Sequence, residues 1–85
     1  LRDLIARLGG AWNVVNEHHL QKDFSFQSFR ENIAFVNKVA DLAEAEGHHP
    51  NFAIDFRKTR ITIWTHKIDG LTESDFILAA KIDKL

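Results

Sequence analysis

"SFRENIAFVNKVADLAEAEGHHP", Ser28 to Pro50, is a helix with both of its ends written into the sequence. Ser28 and Glu31 form an S-x-x-E capping box at its start. Phe29, Ile33, Val36, Ala40 and Ala43 recur at helical spacing, and Phe35, Val39 and Leu42 widen the apolar stripe. Arg30, Lys38, Asp41 and Glu44 fall on the opposite side. Gly47 suits the left-handed position that closes a helix, and Pro50 prevents its resumption. The spacing therefore predicts a helix over 28–46, which divides the chain into two flanks.

Each flank reads as a strand pair. Upstream, "WNVV" and "HLQKDFSF" are joined by the polar link "NEHH", Asn16 to His19. In the second of these strands Leu20, Phe24 and Phe26 share one parity, and Lys22 is the exception on that face. Downstream, "NFAIDF" alternates Phe52, Ile54 and Phe56, and "TRITIWTH" alternates Ile61 and Ile63 against Thr62, Trp64 and His66, with Arg57-Lys58 as the link. A short helix is expected over Leu1–Leu8, stopped by Gly9-Gly10, and a last one after Thr72 as N-cap. Asp75 at N3 and a staple from Leu71 to Phe76 mark that last start. Short links favour antiparallel hairpins. The expected fold is thus a single α+β domain over 1–85, two-layered, with one four-stranded antiparallel sheet and three helices on one face in the order α-β-β-α-β-β-α.

Composition narrows the function. The 85 residues are 45% hydrophobic and 27% charged, which is ordinary for a soluble globular fold. A net charge of −1 argues against a nucleic-acid or membrane partner held by bulk electrostatics. "RKTR", Arg57–Arg60, is the one basic cluster, and it lacks the interleaved aromatics of a nucleic-acid groove. No apolar run approaches the ~20 residues of a membrane span. The absence of cysteine excludes disulfides and thiolate zinc sites and fits a cytoplasmic protein. Leu1 rather than Met opens the chain, which leaves room for further N-terminal sequence.

Helix-ending geometry accounts for Gly47 and Pro50, but not for the two imidazoles between them. Neighbouring side chains on an extended stretch diverge, so one of His48 and His49 can face a cavity while the other bonds elsewhere. A helix C-terminus also favours a protonated imidazole nearby. His66 lies on the parity opposite Ile61 and Ile63, off the core face. Asp75 at a helix start needs no catalytic role to explain it. The pair His18-His19 sits in a polar turn with no evident downstream partner and reads as structural. No histidines stand at the i, i+4 spacing of a helical metal face, and no Ser/His/Asp set is credible.

Taken in order, Glu44, His48-His49-Pro50, Phe56, His66 and Asp75 resemble the signature of the pterin-4a-carbinolamine dehydratases. "DFSFQSFRENIAFVNKVADLAE" and "THKIDGLTESDFILAAKID" extend the resemblance over essentially the whole chain. It implies dehydration of a 4a-hydroxytetrahydropterin to quinonoid dihydropterin and water, with no metal or redox cofactor. A base must take the N5 proton and an acid must protonate the departing hydroxyl; histidine, with an ordinary pKa of ~6.5, serves either role. Carried onto this chain, His48 and His66 are the acid–base pair, with His49 sharing in proton transfer. Glu44, Pro50 and Asp75 bind substrate or shape its pocket, Glu44 biasing His48 and Asp75 orienting His66. The family also implies a homodimer or homotetramer. The alternative is a non-catalytic dimerisation module serving a transcription factor or a hydroxylase. Two departures stand out: Gly47 where some relatives carry an acid, and Ser74 where some carry arginine.

Overall fold

The computed structural model describes residues 12–85. Its elements are β1 (Asn13–Val15), β2 (His19–Ser25), α1 (Phe29–Glu46), β3 (Asn51–Ile54), β4 (Lys58–Ile63) and α2 (Glu73–Ile82). The strands form one antiparallel sheet in the order β1-β2-β4-β3. The α+β, single-sheet reading is therefore right, but the three-helix count is corrected: the described residues form two helices, and the helix expected at Leu1–Leu8 lies outside them.

Both ends of α1 follow the sequence signals. Ser28 Oγ accepts from the Glu31 N–H at 3.2 Å, and Glu31 Oε2 accepts from the Gln27 N–H. At the other end Gly47 takes a left-handed conformation, φ 64°. The Gly47 N–H then reaches the Glu44 carbonyl and the His48 N–H reaches Ala43, the paired bonds of a Schellman closure.

The side of α1 that faces the sheet differs from expectation. Asn32, Val39 and Ala43 are its buried residues, and Phe35 stacks on Phe24 and Phe26 at 4.7 and 5.1 Å between ring centres. Phe29 is 52% exposed, and Ala40 is exposed as well. The inward stripe is rotated because Asn32 has a task that hydrophobicity does not reveal. Its Nδ2 donates to the carbonyls of Asp55 and Lys58, and its Oδ1 accepts from Thr59 Oγ1. This buried amide ties the helix to the β3–β4 turn and leaves none of its polar atoms unpaired. The turn itself is Asp55–Arg57, one step before the expected link, closed by Asp55 N–H on the Lys58 carbonyl at 2.8 Å.

Leu20, Thr59, Ile61 and Ile63 put one sheet face against Val39, Leu78, Ala79 and Ile82, all within 1% of full burial. Each large aliphatic side chain here contributes about 1.5–3 kcal/mol by leaving water. Lys22 shares the inward parity and is accommodated at the margin: Nζ donates to Asp83 at 2.7 Å and lies 4.9 Å from the Phe24 ring centre. Trp12 Nε1 donates to the other oxygen of Asp83. Among the described residues no element covers the opposite sheet face. There Arg60 makes a two-bond contact with Asp23, which holds that carboxyl below the usual carboxylate range. An exposed pair of this kind adds little stability.

Candidate active site

Asp75 is fully buried, 0% exposed, at the first turn of α2. Its Oδ2 accepts from the Thr72 N–H and from Thr65 Oγ1, each at 2.8 Å, and its Oδ1 meets His48 Nε2 at 2.6 Å. Thr65 and Thr72 also share a hydrogen bond, at 2.9 Å. The Thr72 N–H and the Thr65 hydroxyl both donate to Oδ2, and an ionised carboxylate can only accept. The proton in its contact with His48 then belongs to Nε2, which leaves Nδ1 as the lone-pair nitrogen of that ring.

The histidine pair diverges as adjacent extended residues must. His48 is fixed twice, by its backbone bond to Ala43 and by Asp75, and its side chain is 17% exposed. His49 turns outward and meets Glu44 Oε1 at 2.6 Å, with both side chains mostly exposed. Both expected carboxylate partnerships are thus different: Glu44 meets His49 rather than His48, and Asp75 meets His48 rather than His66. Pro50 is buried directly before β3.

His66 lies in a turn, not at the end of a strand. β4 stops at Ile63, and Thr65 pairs with Gly70 across a tight loop that carries His66. The His66 ring stacks on Trp64 at 4.4 Å between centres, tilted by 36°. Gly47, His48, His49, Trp64, Thr65 and His66 together line a cavity of about 200 Å³. A second cavity, about 280 Å³, shares Gly47 and His48 and is bounded by Glu46, Ser74, Ile77 and Leu78. Three histidines from two distant segments therefore face one hollow. Sequence reasoning overlooked Trp64 and Thr65; an aromatic off the core parity, two residues before His66, was the available signal. Among the described residues no group of three or more His, Cys, Asp or Glu side chains is placed to hold a metal ion.

A hollow lined by imidazoles, one of them held by a buried carboxylate, gathers groups that can give and take protons around one space. Comparison with known proteins gives that arrangement a family. The profile of the pterin 4 alpha carbinolamine dehydratases matches residues 1–85, and the chain belongs to that family of hydro-lyases. A relative from Alkaliphilus metalliredigens, assigned by name to these dehydratases, is 48% identical over 99% of this chain and 76% of its own length. One from Rubrobacter xylanophilus is 53% identical over 95% of this chain and 76% of its own. Among solved structures, a transcriptional coactivator/pterin dehydratase from Brucella melitensis superposes with a TM-score of 0.89 at 27% identity, covering 98% of this chain and 88% of that one. A pterin dehydratase-like RuBisCO assembly factor of the alpha-carboxysome gives 0.76 at 26% identity, over 91% and 90%.

The two carboxylate–histidine pairs differ in burial, and this has a measurable consequence. Asp75→Ala should strand buried donors and lower unfolding free energy by about 1–3 kcal/mol. Glu44→Ala removes an exposed partner and should change it by no more than ~1 kcal/mol. Urea denaturation of the two variants checks the order; equal losses would contradict it.

Proposed function

We propose that this chain dehydrates a 4a-hydroxytetrahydropterin by histidine acid–base catalysis, in the recycling of tetrahydropterin after aromatic amino acid hydroxylation. The observation that carries the reading is the convergence of His48, His49 and His66 on one cavity in a chain of the dehydratase family. One imidazole removes the N5 proton, the electron pair forms the C4a=N5 bond, and the C4a–oxygen bond breaks. A second imidazole, protonated, delivers its proton to the departing hydroxyl, which leaves as water. Each proton taken at N5 is matched by one given to oxygen, so no net charge builds up.

His48 and His66 are the acid–base pair in this reading. Asp75 supports His48 as a base by holding Nε2–H and leaving Nδ1 open to a proton. His49, steadied by Glu44, shares in proton transfer or in binding the ring. Pro50 shapes the pocket wall, and Trp64 offers a flat apolar surface beside His66. The alternative of a binding module draws on the Brucella structure, whose title names a coactivator, and on the RuBisCO assembly factor. The retained His48/His66 pair favours catalysis, since a module that only binds has no use for it.

We also infer a homo-oligomer, a dimer or a tetramer. Among the described residues β3 is a sheet edge; it ends on Ile54 (45% exposed), and beyond it lie Phe56 (69%) and Phe29, whose ring is 6.5 Å from that of Phe56. An unpaired edge flanked by apolar side chains is suited to two-fold pairing with a second copy.

Turnover of a 4a-hydroxytetrahydropterin should fall by about 10²–10⁴-fold in His66→Ala, the usual worth of one acid–base group, while the fold is kept. A wild-type rate in that variant would remove His66 from the mechanism. Sedimentation at micromolar concentration should give a dimer or larger; a compact, fully active monomer would refute the oligomer.

A further inference from the structure

The turn that carries the first histidine pair is physically joined to the loop that carries His66. His18 Nε2 meets Asp69 Oδ1 at 2.8 Å, across 51 residues of sequence, and His18 Nδ1 lies 3.1 Å from His19 Nδ1. With its Nε2–H donated to Asp69, His18 offers Nδ1 as acceptor to the Nδ1–H of His19. Both rings also pack near Trp64, at 5.6 and 6.2 Å between centres, and Trp64 is the residue on which His66 stacks. The pair read from sequence as a plain polar turn thus has a partner after all.

Backbone strain marks the same contact. The described residues contain three non-glycine positions with positive φ: Asn16 at 52°, Glu17 at 55° and Asp69 at 52°. Two lie in the turn immediately before His18, and the third is the residue that His18 holds. Such conformations persist where the surroundings over-determine them, and they gather at functional sites. The loop from Thr65 to Gly70 is tied at its base by the Thr65–Gly70 backbone pair and by Thr65 Oγ1 on Asp75. Among the described residues, the Asp69 side chain carries the one hydrogen bond from its outer part to a distant segment. His66 itself is exposed and makes no side-chain hydrogen bond among the described residues, so its place depends on the loop and on Trp64.

We infer that His18 is a positioning residue for His66: through Asp69 and Trp64 it sets where the His66 ring stands over the cavity. It does not touch substrate. The inference rests on the dehydratase reading for its kinetic consequence, but its geometric part does not.

The test compares the intact chain with His18→Ala and with His18→Gln, whose amide can still donate to Asp69. In His18→Ala the His66 ring-proton resonances, displaced by the Trp64 ring, should move towards those of a solvated imidazole. The kcat should fall by about 3–10-fold, a fraction of the ~10² that a 1 Å misplacement can cost, with KM nearly constant. His18→Gln should restore most of both. Unmoved His66 resonances in His18→Ala would overturn the inference, and so would moved resonances with an unchanged kcat. A wild-type protein without dehydratase activity would sink the preceding functional reading instead, and the resonance comparison alone would then decide the clamp.

Discussion

A buried carboxylate that nothing neutralises would be among the costliest groups a small domain could hold. Asp75 escapes that cost because three separate segments converge on it with donors: the stretch after α1 brings His48, the loop after β4 brings Thr65, and the start of α2 brings the Thr72 N–H. The dependence runs both ways. The carboxylate is tolerable only if all three segments are in place, and the segments are held together because the carboxylate demands them. Helix start, loop base and the His48 imidazole are fixed by one group. That economy explains how 85 residues with a modest core can keep a defined site.

The rest of the architecture delivers those segments. A Schellman closure at Gly47 sets the His48 backbone at the helix end, and the buried Pro50 leads directly into β3. The central β2–β4 pair carries the dense aliphatic packing, while Asn32 pins α1 to the β3–β4 turn at the far end from the histidines. At the rim, His66 depends on a short loop, a stacked indole and the reach of His18 to Asp69.

Much of the fold was legible because helix ends have their own chemistry. Ser28 and Glu31, Gly47 and Pro50, and Thr72 and Asp75 mark boundaries that the structure keeps within a residue or two. The inward face of α1 was not fully legible, since the apolar stripe is broad and the deciding inward residue, Asn32, is polar. Its value lies in carbonyls of a turn more than twenty positions away. A candidate set of residues could be named through its ordered resemblance to a family, but the contacts among them could not. The resemblance implied Asp75 beside His66, and nearness along the helix suggested Glu44 beside His48. The Schellman closure instead aims His48 at α2, where it meets Asp75, and leaves His49 beside the preceding helical turn, where it meets Glu44.

The account stands or falls on the state of the His48 ring. Nitrogen-15 chemical shifts of the imidazole at neutral pH report directly which nitrogen carries the proton. The neutral His48 ring should be found with Nε2 protonated and Nδ1 bare, because Asp75 accepts from Nε2. A neutral ring protonated at Nδ1 would contradict the account, since Asp75 could then neither orient this histidine nor leave it a base.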